Sequence, residues 1–104
     1  PTVSFNITFN AQTGTTYTLV SGDVNKLVTL NNASAVTVTV PNGVFSVGEQ
    51  VNVAALGDGL VTIDSDGTTV LRATPGTVLR TKYSSATIIC IATNTFLIVG
   101  DLSV

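Results

Sequence analysis

From Val3 to Phe9 the chain alternates without a break: Val3-Ser4-Phe5-Asn6-Ile7-Thr8-Phe9 places an apolar residue at every odd position and a polar one at every even position. The same rhythm returns in Ala35-Val36-Thr37-Val38-Thr39-Val40 and in Gln50-Val51-Asn52-Val53. Side chains on a strand point to opposite faces in turn, so this period predicts half-buried β-strands. No window repeats its apolar residues at three-and-four spacing long enough for a helix. Turn chemistry punctuates the runs at Ser21-Gly22-Asp23, Asn31-Asn32, Pro41-Asn42-Gly43, Gly57-Asp58-Gly59, Asp64-Ser65-Asp66-Gly67, Thr74-Pro75-Gly76 and Thr93-Asn94-Thr95. Gly and Asn accept positive φ and Pro presets a turn corner, so these segments end strands for a physical reason. The spacing predicts an all-β domain of eight to ten short strands, a compact antiparallel β-sandwich or barrel. Residues 1–10 read as an N-terminal strand or arm ahead of the polar connection Ala11-Gln12-Thr13-Gly14, and residues 11–104 as one β domain. The arm has two options, pairing with its own sheet or adding a strand to a neighbour.

Two later segments depart from simple alternation. Thr69-Val70-Leu71-Arg72 is echoed, across Ala73-Thr74-Pro75-Gly76, by Thr77-Val78-Leu79-Arg80, and reads as a hairpin with matching arms rather than a solenoid repeat. Ala86-Thr87-Ile88-Ile89-Cys90-Ile91-Ala92 and Phe96-Leu97-Ile98-Val99 are apolar on both faces. Strands of that kind are covered on two sides. A single short domain has little chain for a third layer, so a partner molecule is the expected cover.

Composition narrows the partners. The chain has 104 residues, enough for one domain, with 44% hydrophobic and only 10% charged residues against about a quarter in a typical globular domain. A formal charge of −2, with Lys26, Arg72, Arg80 and Lys82 as the only cationic side chains, provides no phosphate-tracking groove and no reason to bind nucleic acid or acidic lipid. Weak net charge also leaves copies of the chain little mutual repulsion. The longest apolar run, Ile88–Ala92, is far too short to span a bilayer as a helix, and four Phe and two Tyr are few for the girdles of a membrane barrel. No secretory signal opens the chain, and Pro1 is expected to follow a removed initiator Met, which makes a complete small gene product the expectation. One cysteine excludes an intrachain disulfide and fits synthesis in the cytoplasm. Within Ile88-Ile89-Cys90-Ile91 that cysteine reads as a small core residue, a reactive or metal-binding thiol being the alternative.

Candidate chemistry is sparse. Without His, the commonest general base and the nucleophile–base arrangements built on it are missing. The carboxylates Asp23, Glu49, Asp58, Asp64, Asp66 and Asp101 lie mostly beside Gly or Ser in turns, so a glycosidase pair is the lesser reading. Asp64-Ser65-Asp66-Gly67 opens like a calcium loop but places Pro75 where the bidentate Glu belongs, which leaves a Gly-assisted turn. No catalytic, metal-binding or cofactor-binding residue is assigned, and no enzymatic activity is expected. Asn6-Ile7-Thr8 and Asn32-Ala33-Ser34 match the glycosylation pattern, as chance allows in so Asn- and Thr-rich a chain. Arg72, Arg80, Lys82 and Tyr83 cluster in sequence, either touching an acidic partner or a sugar, or standing at solvated strand ends with Asp partners across an interface.

The run Lys26-Leu27-Val28-Thr29-Leu30-Asn31-Asn32-Ala33-Ser34 through Pro41, the Val47-Gly48-Glu49-Gln50-Val51-Asn52-Val53 stretch, and Tyr83-Ser84-Ser85-Ala86-Thr87 through Phe96-Leu97-Ile98-Val99-Gly100-Asp101-Leu102 together resemble a small β domain of tailed-bacteriophage structural proteins, found in tail fibres and in head fibre or decoration proteins. The resemblance covers residues from about 17 to 102, and Phe96 stands where that family often has Trp. It implies a homotrimeric virion component without enzymatic activity or cofactor, made in the bacterial host cytoplasm, and it transfers no ligand residue. Three functions follow. The first is a capsid decoration (cement) protein that assembles as a homotrimer and clamps the major capsid protein on the head surface. The second is a tail or head fibre module binding a host glycan or receptor, with Tyr17, Tyr83 and Asn94 as candidate contacts. The third and weakest is a hydrolase or lyase acting on polysaccharide through Asp64, Asp66 and Asp101.

Overall fold

The computed structural model describes residues 7–104. Eleven strands run in chain order as β1 (Phe9–Gln12), β2 (Thr16–Thr18), β3 (Leu27–Leu30), β4 (Val36–Val40), β5 (Gln50–Ala55), β6 (Val61–Ser65), β7 (Val70–Arg72), β8 (Val78–Leu79), β9 (Ser85–Ala92), β10 (Thr95–Gly100) and β11 (Leu102–Ser103), with a single 3₁₀ turn at Ser21–Asp23. The all-β expectation holds. The strands form two sheets, ordered β1-β3-β5-β9-β10-β7 (sheet A) and β11-β8-β6-β4-β2 (sheet B).

Pairing differs from the antiparallel expectation. The chain crosses from one sheet to the other at almost every turn, so strands of the same sheet stack in parallel: β1 on β3 on β5 in sheet A, and β2 on β4 on β6 in sheet B. Between the second and third layers the offset is constant. Each residue lies beside the one 25 positions further on, from Leu27 with Asn52 and Val28 with Val53 to Val36 with Val61 and Val40 with Ser65. The intervening turns stack as closely as the strands. A Cβ at Gly57 would lie 2.5 Å from the Asn32 backbone, and one at Gly59 only 1.8 Å from the Ser34 carbonyl oxygen. Only glycine fits there. This part of the chain is a short solenoid-like stack; antiparallel pairing begins with β8 on β6 and β9 on β5, and continues with β10 on β9 and β11 on β8.

The predicted hairpin is not formed: β7 belongs to sheet A and β8 to sheet B. Alternation requires only that Leu71 and Leu79 point inward. Two strands facing one another across the core satisfy it as well as two strands side by side, and Leu79 is buried while Leu71 packs against the same cluster.

Between the sheets lies one continuous core of Leu19, Val28, Leu30, Val36, Val38, Val40, Val51, Val53, Ile63, Leu79, Ile88, Cys90, Phe96 and Ile98, with Phe45 set edge-on to Phe96 at 6.0 Å between ring centroids. Its N-terminal end is closed by polar residues. β1 turns Asn10 and Gln12 toward the interior where β3 turns Val28 and Leu30. Asp23 is buried among them: Tyr17 OH donates to Oδ2 at 2.7 Å, the Val20 N–H to the same oxygen at 3.0 Å, and Asn10 Nδ2 to Oδ1 at 2.8 Å. Terminal layers of stacked folds carry such a polar end so that the apolar interior stops in water.

Candidate functional site

The two sheets present different outer faces. On sheet B the residues pointing away from the core are Thr16, Thr37, Thr62, Val78 and Ser103 in one row and Thr18, Thr39 and Asp64 in the next. On sheet A one row reads Phe9, Leu27, Asn52, Thr87 and Val99, and its neighbour reads Gln50, Ile89, Leu97 and Arg72. Phe9 is 65% exposed, Ile91 and Val99 45%, and Leu97 36%. The both-faced pattern of β9 and β10 is therefore explained on one side only. Ala86, Ile88, Cys90, Phe96 and Ile98 fill the core, and their alternates have no third layer over them among the described residues.

The N-terminal stripe behaves in the same way. β1 pairs in parallel with β3 of its own chain, and Ile7 and Phe9 lie on the exterior rather than in the core. The rest of the arm, with Val3 and Phe5, lies outside the described residues, as does the Asn6 acceptor.

A groove of about 600 Å³ crosses the outer face of sheet A. Small residues form its floor (Asn52, Ala54, Ser85 and Thr87), Ile7 and Leu27 form one wall, Val99 the other, and Tyr83 stands at one end. Thr87 Oγ1 donates to Asn52 Oδ1 at 2.7 Å, which fixes the floor. Tyr83 is 71% exposed and has φ +71°, a backbone region that bulky residues rarely enter. Its N–H donates to the Ala55 carbonyl at 2.7 Å, and Lys82 Nζ sits 5.3 Å from its ring centroid.

The cationic cluster resolves within the chain. Arg80 makes a two-point contact with Asp101, Nε to Oδ1 at 2.7 Å and Nη2 to Oδ2 at 2.9 Å, and Ser84 Oγ adds a third bond to Oδ2 at 2.7 Å. The guanidinium and the Ser84 hydroxyl lower the Asp101 pKa, and Asp101 in turn raises that of Arg80. Lys82 pairs with Asp58 at 3.3 Å, which raises its pKa. The Asp partners expected across an interface are thus the chain's own. Arg72 lies apart, at the β7 edge beside Leu97.

The remaining candidates have structural positions. Asp66 Oδ1 accepts from the backbone and hydroxyl of Thr68 and from the Thr69 N–H, and Oδ2 accepts from the Asn42 N–H; the Thr68 bonds above all pull its pKa down to about 2. Asp64 Oδ1 accepts from the Ser65 N–H. These contacts tie the Asp64–Gly67 turn to the Pro41–Gly43 turn. Asp101, in its Arg80 pair, belongs to a different cluster of contacts. Cys90 is buried in the core, and burial pushes its thiol pKa up, so it lacks the thiolate character of a reactive cysteine. Asn32 spends its side chain on the turn stack, donating to the Thr13 carbonyl and accepting from the Ser34 N–H. Of the three suggested glycan contacts, Tyr17 belongs to the Asp23 cluster and Asn94 Oδ1 accepts from the Gly43 N–H; only Tyr83 projects freely.

Sequence reasoning missed the groove because its walls come from strands far apart in the chain, β3 and β10. The 25-residue offset of Leu27–Val40 from Asn52–Ser65 leaves only Val28 with Val53 and Val36-Thr37 with Val61-Thr62 matched, and it does not involve β10. No helix among the described residues is long and apolar enough to cross a membrane. No known family, curated protein or solved structure matches the chain.

Proposed function

We propose that the chain is a bacteriophage head decoration protein that assembles with copies of itself on the capsid and stabilises the shell by binding it. The observation that carries this reading is the set of exposed apolar side chains on the outer face of sheet A, Ile7, Phe9, Ile91, Leu97 and Val99. Large apolar side chains gathered on one face among polar residues are a usual mark of contact with another molecule. Poor folding does not account for it: the accessible surface of 5625 Å² is close to the roughly 5,500 Å² expected of a compact chain of this mass. The sandwich-like layering of two sheets about one core leaves the threonine face of sheet B for solvent and the face of sheet A for protein. The resemblance of the Lys26–Pro41 and Tyr83–Leu102 runs to phage virion domains supplies the setting, a homotrimer beside the major capsid protein. A component that binds only the assembled shell stabilises it by mass action.

The test is to image particles carrying this chain and to compare heat and osmotic resistance before and after it is stripped. Ordered copies on the head and fragile stripped particles are the expected outcome; heads without the protein, or unchanged resistance, overturn the reading. A fibre module that binds a glycan is the second reading, favoured by the projecting Tyr83 ring at the end of a groove whose floor carries the Asn52 amide. Adsorption of phage blocked by the isolated chain would favour it.

A further inference from the structure

We infer that Asn42 is a site of spontaneous deamidation, held in check by the side chain of Asn94, and that its conversion unfastens three turns from one another. Asn42 is the only asparagine of the chain that precedes glycine. In that setting the Gly43 amide nitrogen attacks Cγ of the Asn42 side chain as its own proton leaves. A C–N bond forms, the bond to the side-chain nitrogen breaks, and ammonia departs with that proton. The five-membered imide then takes up water at either carbonyl and opens to aspartate or to isoaspartate. A Cβ on the following residue obstructs the ring closure, and glycine has none.

The surroundings of Asn42 leave this route open and place one brake on it. Asn42 and Gly43 are both exposed in the turn that follows β4. Nothing lies within 4 Å of the place a Gly43 Cβ would take, so the ring has room to close. The brake is a hydrogen bond from the Gly43 N–H to Asn94 Oδ1 at 3.1 Å. The attacking nitrogen must surrender that proton, and an acceptor on it keeps the proton in place and fixes the peptide plane. The two Asp–Gly pairs of the chain, which can form the same imide, are more tightly held. Gly59 is packed against the Ser34 carbonyl, the Asp66 carboxylate is engaged by Asn42, Thr68 and Thr69, and the Gly67 N–H donates to Ser65 Oγ.

The consequence follows from what the same turn holds. The Asn42 N–H donates to Asp66 Oδ2 at 2.8 Å, and the Asn94 carbonyl receives the Val70 N–H at 2.9 Å where β7 begins. These bonds and the Gly43–Asn94 contact fasten the Pro41–Gly43, Asp64–Gly67 and Thr93–Thr95 turns together. Conversion puts a new carboxylate on the residue whose N–H Asp66 grips, and like charges at that range repel. Isoaspartate also routes the main chain through the former side chain, one carbon longer. The two N–H groups then lose the spacing at which they meet Asp66 and Asn94.

The full-length chain is incubated in mildly alkaline buffer at body temperature and followed by isoelectric focusing and peptide mass mapping. A species more acidic by one charge should accumulate, with the amide-to-acid mass gain confined to the peptide that contains Asn42 and shared between aspartate and isoaspartate. Asn42→Gln, which would have to close a larger ring, should not form it. Asn94→Gly accepts the positive φ of that position and removes only the side-chain acceptor. It should convert about fivefold faster, the factor that one net hydrogen bond supplies. Asn94→Asp keeps an acceptor and should convert no faster than wild type. Where Asn94→Gly does not melt cooperatively, Asn94→Ser, whose hydroxyl falls short of Gly43, takes its place. The converted protein should melt roughly 5 °C below the fresh protein, as the loss of one or two hydrogen bonds predicts. A folded chain that does not convert, or converts at another asparagine, overturns the site. Equal rates in wild type and Asn94→Gly overturn the brake, and an unchanged melt overturns the unfastening.

Discussion

Sheets A and B enclose the same core with the same valine and isoleucine chemistry, yet their outer faces differ. The exterior of sheet B is mostly threonine, a residue that favours strands while offering a hydroxyl to water, with Asp64 and Val78 beside it. The exterior of sheet A keeps Phe9, Ile91, Leu97 and Val99 in solvent. Inner positions are dictated by folding, whereas outer positions are free to vary, so the outer ones report what the surface meets. On the proposed reading the difference also orients the molecule, sheet A toward protein and sheet B toward water.

Several changes would break or sharpen this contrast. The largest effect should come from Gly59→Ala, which forces a methyl group into the Ser34 carbonyl and separates the stacked turns on which both faces depend. A loss of about 4 kcal/mol or more is expected in chemical denaturation, the range reserved for steric failure in the core. Next is a matched pair on one strand. Ile98→Ala should cost about 3–4 kcal/mol of folding stability, as truncations of buried isoleucine do. Leu97→Ala, one residue away on the outside, should cost under about 0.5 kcal/mol in the monomer while reducing assembly. Equal costs for the two would remove the distinction between inside and outside on β10. The converse experiment makes sheet B resemble sheet A: Thr37→Val with Thr62→Val should leave thermal stability within a few degrees but produce larger, polydisperse species in light scattering.

The smallest effect is electrostatic and sits away from either face. Burial, reinforced by the neighbouring Asp23 carboxylate, raises the Tyr17 pKa from 10.0 to about 12. An unfolded chain releases that proton first, so the contribution of Tyr17 is complete below pH 10 and is lost as pH rises toward about 12. Denaturation curves at increasing alkaline pH should show this decline, and Tyr17→Phe should flatten it.

Much of this was legible in the sequence. Period-two alternation identified the strands, the Gly, Asn and Pro clusters marked most of the turns, and the apolar neighbours of Cys90 placed it inside. The two-sided character of β9 and β10 pointed to the face that remains exposed. Strand neighbours were not legible, because alternation tells which side of a strand is buried but not which strand lies beside it. The Val70–Arg72 and Val78–Leu79 echo fitted a hairpin and a facing pair equally. In the same way, the stripe through Ile7 and Phe9 looked like a core face. Its inward alternates Asn10 and Gln12 are polar because they close the end of the stack, a role defined only once Asp23 and Tyr17 are in place. Arg80 and Lys82 found carboxylates far along the chain, another pairing that local spacing does not encode.

The constant offset between Leu27–Val40 and Asn52–Ser65 makes the height of the molecule adjustable in fixed steps. Inserting one further copy of the 25-residue unit would add a rung to each sheet, about 4.8 Å apiece, without disturbing the capped end or the antiparallel end. Such a duplication would widen the outer face of sheet A by one strand while leaving β9 and β10 unchanged. The breadth of that face would thereby become a dimension set by gene length.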